Sequence, residues 1–554
     1  MIDLSSFYPW FRLDSLNSFV VLAIGLFFVL TVIYSARFMK GRSGLIQYYL
    51  YIILTMIASI GAVLANNLIL LLVLWGFLGL TLYLLINMGQ DNAGMAAKKT
   101  FIIVGGSDAL LLLGIVIVYH LAGTLQMDSV RLELNNGLVV LAYLCIAIAC
   151  FAKAGAMPFH TWIPDCAETA PLPVVAYLPA SLDKLLGIYL LVRISLDLFV
   201  MNSAMNILLM LVGAFTIIAA VMMALIQHNM KRLLGYHAIS QVGYMVLGIG
   251  TGNPIGIAGG IFHMLNNSIY KQALFLISGN VEQKTGTTDL DKLGGLFRTM
   301  PVTYVCALIA SLSISGVPPF NGFVSKWMVY QGLIGQLQTT NYPLRIMIVI
   351  SLTAAMFGSG LTLASFMKLI HATFLGQRAN GPTGQRANEV SWTMWLPCIV
   401  LATLCVTFGI FANQIPLKYF ILPVVGGVTF IGSWYATLST LLIIVGLLLG
   451  LLIFQLKGLR PRIRQDTTFV GGETLDLDTA RVTGTEFYNT IKELGYLRAI
   501  YKRAEAGFFD IYHQGKKFIF SFSGVLQYLH NGVLPTYLVW YLIGILGIFY
   551  IILF

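Results

Sequence analysis

Apolar runs of twenty or more residues recur along most of this 554-residue chain, and they restrict what its backbone can do. Hydrocarbon offers no water to main-chain N–H and C=O groups, so a spanning segment must satisfy them internally. Runs of this length therefore read as membrane-spanning helices. With 58% hydrophobic and only 10% charged residues, the chain is a polytopic membrane protein. The first run, from near Leu16 to Ile33, precedes no small-residue cleavage site and is expected to be retained. A formal charge of +11 would suggest nucleic acid in a soluble chain; here loop lysines and arginines are expected to set topology. Cys145, Cys150, Cys166, Cys306, Cys398 and Cys405 lack metal-ligand spacing and read as small buried hydrophobes.

Candidate spans are 14–36, 46–65, 67–88, 100–121, 136–156, 174–198, 205–226, 234–251, 255–279, 301–317, 322–339, 344–370, 392–411, 417–432, 434–456 and 534–554. The run 417–432 is weak, because Pro416 precedes it and Pro423, Gly426 and Gly427 interrupt it. With the N-terminus outside, Arg37 to Arg42, Lys98-Lys99, Lys231-Arg232 and Lys284 to Arg298 all face the cytoplasm. The loop with Arg378 and Arg386 falls on the wrong side unless a proline-rich segment re-enters or the weak span is not one.

Two stretches do not suit lipid. Phe151-Ala-Lys-Ala-Gly-Ala-Met-Pro-Phe-His160, continuing to Asp165, and Ser315-Gly-Val-Pro-Pro-Phe-Asn-Gly-Phe-Val-Ser-Lys326 each combine helix breakers with one lysine. Broken helices expose main-chain ends to a cavity, a common way to build an ion site in a transporter. Asp183 and Lys184 sit in mid-span, where an unpaired charge is costly; adjacent residues do not share a helix face, so they are expected to address different partners. His263, Asn267 and Lys271 are spaced i, i+4, i+8 and share one face over about 12 Å. His237 lies near Ser240 and Gln241, which can hold water in a row, and Asp108 is a carboxylate candidate for one of the lysines. Lysine can change charge when buried and arginine cannot, so the lysines are the better proton carriers. Blander readings stand beside these: Lys231 and Arg232 as flanking charges, Arg193 snorkelling, Lys368 and His371 at the interface. No Walker sequence, dinucleotide fingerprint or cysteine cluster is present, so neither nucleotide nor an electron carrier is expected in this chain.

Arg460, Arg462 and Arg464 end the helix before them, and Gly471 to Asp478 reads as an aqueous loop. Phe487, Ile491, Leu494, Tyr501, Phe508 and Tyr512 recur mostly at intervals of three to four, with Lys492, Lys502, Arg503 and Lys516-Lys517 between or after them. The pattern fits an amphipathic segment on a membrane surface or along neighbouring bundles, ahead of a last span.

Phe151 to Asp165, Lys231-Arg-Leu-Leu-Gly-Tyr-His-Ala-Ile-Ser-Gln-Val-Gly-Tyr-Met245, Phe262-His-Met-Leu-Asn-Asn-Ser-Ile-Tyr-Lys-Gln-Ala-Leu-Phe-Leu276 and Gly316 to Lys326 resemble the antiporter-like membrane subunits of respiratory complex I. Energy-converting membrane-bound hydrogenases and multisubunit cation/proton antiporters contain relatives. The resemblance covers roughly 14 to 456, and the 487–554 region is similar to the lateral helix and anchor of the distal complex I subunit. It implies an all-α polytopic protein of two inverted five-helix repeats with broken helices, plus a C-terminal lateral amphipathic segment and a terminal membrane helix. The corresponding division is 1–65 N-terminal helices, 66–200 first repeat, 201–372 second repeat, 373–456 C-terminal bundle helices, 457–533 surface loop and lateral segment, and 534–554 terminal helix. Lys153 matches the first-channel lysine, Lys184 the lysine after the proline-rich loop, and Lys231 that after the first repeat. His263 and Lys271 match the central relay, with Asn267 where histidine is frequent, and Lys326 matches the lysine of the second broken helix.

The family places a glutamate directly after the tryptophan of Leu74-Trp-Gly76; here Gly76 stands there. Either Asp183, Asp108 or Glu168 supplies that carboxylate, or the first half-channel operates differently. The resemblance implies a proton-translocating subunit of a redox-driven complex, of the NADH/quinone or ferredoxin-linked hydrogenase type, in a prokaryotic inner membrane. The alternatives are a subunit of a cation/proton antiporter or inorganic-carbon uptake complex, or a structural spacer with a decayed half-channel. Partners would be other antiporter-like and small membrane subunits, lipid and peripheral redox subunits. Any iron-sulfur, flavin or nickel-iron centre would belong to those partners, with no cofactor in this chain.

Overall fold

A computed structural model of the chain describes residues 10–90, 92–338, 342–376, 388–455 and 485–553. Arg378, Arg386, Arg460, Arg462, Arg464, the Gly471 to Asp478 stretch and the Phe487 side chain lie outside the described residues. The chain forms two compact units, Met1–Leu494 and Gly495–Phe554.

The first unit opens with α1 (Ser15–Phe38), α2 (Leu45–Leu64), α3 (Leu68–Ile86) and α4 (Ala93–Ala122). Next come α5 (Gly137–Ala154), α6 (Trp162–Thr169), α7 (Leu172–Tyr177) and α8 (Asp183–Arg193), the last two joined by a π-helical turn at Leu178–Leu182. The central stretch is α9 (Ser203–Leu225), α10 (Met230–Gly250) and α11 (Pro254–Thr285). Then follow α12 (Pro301–Ser315), α13 (Asn321–Gly335), α14 (Tyr342–Ile370), α15 (Trp392–Ile410), the short α16 (Leu422–Val425), α17 (Ala436–Gln455) and α18 (Asn489–Glu493). Eleven of the described helical stretches are long and apolar enough to cross a membrane. This is an all-α multi-pass membrane protein; the one sheet among the described residues is a two-residue parallel pairing of Leu132–Glu133 with Phe199–Val200.

The polar content of α10 and α11 decides where they lie. From Ile255 to Val281 every residue of α11 is buried, and it packs on α7, α8, α10, α12, α13 and α15. A helix bearing His263, Asn266, Asn267, Lys271 and Gln272 could not face lipid without leaving those groups unsatisfied, so the apolar helices enclose it. Outer helices turn Leu22, Val29, Val73, Phe215, Phe357 and Leu447 outward instead.

Two helices break at glycines. α5 starts on the Asn136 side chain, which accepts from Leu138 N and Val139 N, and stops at Gly155, whose φ of +82° suits a residue without Cβ. α12 stops in the same way at Gly316, φ +80°. α12 and α13, fifteen residues each, flank this break. Glu389, just ahead of α15, accepts from Val302 N and Thr303 N at the start of α12, so the starts of α12 and α15 share one face. The 417–432 run is not a membrane helix: a proline-bearing π-helical segment, Asn413–Ile421, leads into α16, and residues 426–435 are irregular. α4 and α10 begin earlier than their apolar runs, at Ala93 and Met230, and α11 continues to Thr285, because polar residues extend these helices beyond the apolar window.

The second unit contains α19 (Gly495–Glu505), α20 (Ile511–Leu529) and α21 (Leu534–Leu553). The expected amphipathic segment is thus not one helix. Gly507, at φ +73°, interrupts it, and the Asp510 side chain caps α20 by accepting from Tyr512 N at 3.0 Å.

Candidate functional site: a buried line of amines and imidazoles

Lys153, Lys184, Lys271 and Lys326 are all buried. An isolated ammonium in such surroundings costs several kcal/mol, so each needs compensation, and the fold supplies it in a repeated manner. Lys184 Nζ donates to Pro179 O at 2.6 Å and Ala154 O at 3.2 Å, carbonyls set free by the π-helical turn and by the break after α5. Lys326 Nζ donates to Ile314 O at 2.9 Å, beside the break after α12. Lys271 Nζ donates to Leu234 O on α10 at 2.9 Å. Aromatic faces add to this: the Lys153 amine lies 4.9 Å from the Trp75 ring, Lys326 4.6 Å from Tyr244 and Lys271 5.6 Å from Phe366. These rings were not evident from the sequence, since an aromatic residue in an apolar helix signals only packing.

Lys153 differs from the other three, for it has no direct hydrogen-bond partner among the described residues. Asp108 and Asp183 are the carboxylates within its electrostatic reach. Asp108 comes from α4 and lies against α3: a Cβ at Gly79, one turn beyond Trp75, would stand 3.7 Å from its Oδ2. Asp183 is within electrostatic reach of both Lys153 and Lys184, while the Lys184 amine donates its hydrogen bonds to main-chain carbonyls. Glu168 does not join them. Its carboxylate takes Arg232 at 2.8 Å on the surface, where Asp165 also binds Lys99 at 2.7 Å. Lys231 sits at that same end of the bundle, paired with Glu282 at 2.7 Å.

On α11 the three residues sharing a face reach three different elements. His263 Nδ1 bonds Ser325 Oγ at 2.9 Å, and its Nε2 lies 3.2 Å from Gln241 Oε1 and 3.3 Å from Tyr270 Oη. Asn267 Nδ2 donates to Ala180 O at 3.5 Å, and Lys271 points to α10. His237 lies within reach of Lys271: the Phe366 ring packs tilted against its ring at 4.7 Å, and its Nε2 bonds Ser365 Oγ at 2.7 Å. The Lys184 and Lys271 amines are within electrostatic reach of one another, and His237 is within reach of Lys271 and Lys326. Asp108, Lys153, Asp183, Lys184, Lys271, His237, His263 and Lys326 therefore form a buried polar line whose neighbouring members lie within electrostatic reach of one another.

The transmembrane family described as NADH:quinone oxidoreductase/Mrp antiporter matches residues 65–358, more than half of the chain and all of this line. The chain belongs to that family. Among curated relatives of this antiporter-like family member, Na(+)/H(+) antiporter subunit A1 of Staphylococcus haemolyticus (strain JCSC1435) is 33% identical over 425 residues, covering 72% of this chain and 51% of the relative. Its Staphylococcus epidermidis (strain ATCC 12228 / FDA PCI 1200) counterpart is 31% identical over 403 residues, 69% of this chain and 50% of the relative. The chain thus spans about half the length of these relatives. In fold it is similar to a chain of the archaeal membrane-bound sulfane sulfur reductase, with TM-score 0.79 and 24% identity over 97% of this chain and 89% of that one. It is also similar to chains of the Mrp complex from Dietzia sp. DQ12-45-1b (0.67, 21%, over 75% and 84%) and of Thermus thermophilus respiratory complex I (0.64, 21%, over 75% and 86%). No three His, Cys, Asp or Glu side chains gather as a metal-binding set among the described residues, and all six cysteines are unpaired and buried.

Proposed function

We propose that this antiporter-like membrane subunit moves protons across the membrane within a redox-driven complex, of the NADH/quinone or ferredoxin-linked hydrogenase type. The observation that carries the reading is the buried polar line, in which every lysine amine has a group of the line within electrostatic or hydrogen-bonding reach through its neighbours. Lys153, Lys271 and Lys326 take up and release protons through internal water, Lys184 passes charge between the halves, and His237, His263 and Asn267 hold the water between them. Asp108 stands in for the carboxylate missing at Gly76, and Asp183 balances Lys153 and Lys184. Lys231, buried and paired with Glu282, serves at the mouth of the pathway. We take 66–200 and 201–372 as two inverted five-helix repeats; the matching glycine breaks after α5 and α12, each with a lysine on its freed carbonyls, support that division. The flanking parts are 1–65, 373–456, a lateral arm within 457–533 and an anchor at 534–554. Partners are antiporter-like, small membrane and peripheral redox subunits in a prokaryotic inner membrane, and they hold any redox centre.

Lys271→Met tests the reading. In vesicles holding the whole purified complex, redox turnover should cease to acidify or alkalinise the lumen, by at least tenfold relative to wild type; full pumping would refute it. The Na(+)/H(+) antiporter subunit A1 relatives favour a second reading, cation/proton antiport. An imposed sodium gradient that drives proton movement without any redox substrate would select it.

A further inference from the structure

The polar line has a branch that the proposed pathway does not use. Ser365, which bonds His237, lies one turn before Lys368 on the same face of α14. Lys368 is buried; its Nζ donates to Leu225 O at 2.6 Å and Gln227 O at 2.9 Å, the end of α9, and lies within electrostatic reach of His237 and of Asp291. Asp291 is held 2.7 Å from His228, whose side chain is 45% exposed, so water begins there. Over the Lys368 amine lies Tyr488, its ring 5.0 Å away and its hydroxyl donating to Ala364 O at 2.8 Å. Thr485 donates to Asp291 beside it. The residues just ahead of α18 therefore cover a lysine standing between a buried imidazole and the surface that carries Lys231 and Arg232.

We propose that Lys368, covered by Tyr488, is the proton port of the second repeat on this basic face. The proposal rests on the proton-translocating reading above. In the transfer, the Lys368 ammonium loses one proton towards the Ser365 hydroxyl, directly or through one water, and that hydroxyl gives its own proton to the His237 imidazole. The hydroxyl is unchanged, the amine becomes neutral and the imidazole cationic; the amine is reprotonated from the Asp291 side. The reverse sequence delivers a proton outward. A lysine that merely caps α9 would show the same carbonyl bonds, so the test must separate charge from proton exchange.

Lys368→Arg does so, since arginine keeps the cation and the donors but does not release its proton. In the whole reconstituted complex, proton flux per redox turnover is expected to fall at least tenfold. Flux within twofold of wild type, in a preparation where Lys271→Met abolishes it, overturns the port and leaves the translocation reading standing. Flux retained by Lys271→Met refutes that reading and the port with it. A readout independent of flux is a cysteine at Ser365→Cys, labelled by a membrane-impermeant thiol reagent, the six native cysteines being buried. Adding Tyr488→Ala should raise its labelling rate from the basic side at least tenfold; an unchanged rate overturns the cover, including where Lys368→Arg fails to assemble.

Discussion

Asp14 offers a measurable test of how the first helix is held to the bundle. Just ahead of α1, outside the membrane-spanning segment, its carboxylate meets Arg193 Nη1 at 2.7 Å and Nη2 at 2.8 Å, while the same guanidinium bonds Asp197 at 2.8 Å and Tyr189 Oη at 3.0 Å. Arg193 is buried, so it does not snorkel to the interface. The Asp14 side chain also caps α1, accepting from Leu16 N at 3.0 Å and Asn17 N at 3.1 Å. Asp14→Asn keeps a capping oxygen and removes the charge. Breaking a buried pair costs about 3–5 kcal/mol, reduced to roughly 2–3 here because Asp197 remains and Asp14 is partly exposed. Asp14→Ala removes the cap as well, adding about 1 kcal/mol. Burial pushes the Asp14 carboxyl up, but the hydrogen bond and charge of Arg193 outweigh it and hold the group below its ordinary value. The unfolded chain therefore binds this proton at higher pH than the folded one. The contribution is complete above the ordinary carboxylate range and is lost as pH falls towards the lowered value. Unfolding titrated with dodecyl sulfate in mixed micelles at neutral and acid pH reads both effects. Equal stability of Asp14→Asn and wild type at neutral pH, or an Asn variant as acid-sensitive as wild type, would refute the reasoning.

Asp108→Asn should reduce proton flux at least tenfold in the reconstituted complex while Glu168→Gln stays within twofold, because Asp108, unlike Glu168, is within electrostatic reach of Lys153; equal effects would show that the missing carboxylate is not replaced on α4. Gly187→Ala places a Cβ 2.7 Å from Ala154 N and 2.8 Å from Cys150 O, so it should destabilise by about 1–3 kcal/mol in a thermal melt in detergent, whereas Gly76→Ala meets nothing within 4 Å and should gain up to about 1 kcal/mol of helix propensity.

What the sequence could show followed from apolar length and from breakers. Spans such as 174–198 and 392–411 emerge almost as read, as do both breaks, because glycine and proline act locally. Sidedness past residue 301 was not legible, since the two apolar stretches either side of Gly316 look like two spans, whereas each forms a helix of only fifteen residues. Nor could spacing reveal that Asn267 reaches Ala180 O, or that Glu168 belongs to Arg232: partners on other helices have no signature in the local pattern. His263, Asn267 and Lys271 share a buried face, yet the three serve different neighbours.

The contrast among the lysines gives the line a physical order. Lys184, Lys271 and Lys326 each hold a main-chain carbonyl, an acceptor whose strength is fixed by the fold and does not change with the charge of any neighbour. Lys153 has instead two carboxylates within electrostatic reach, Asp108 and Asp183, and one of them is shared with Lys184. Its charge state is therefore the one most exposed to a change elsewhere: a proton arriving at Asp183 weakens the hold on Lys153 and Lys184 together, whereas a proton leaving Lys326 is felt mainly through His237 and His263. Coulomb coupling falls with distance and dielectric, so such a signal passes between adjacent members of the line and not across its whole length. A disturbance entering at the α4–α5 side would then reach Lys326 by way of Lys184, Lys271 and His237.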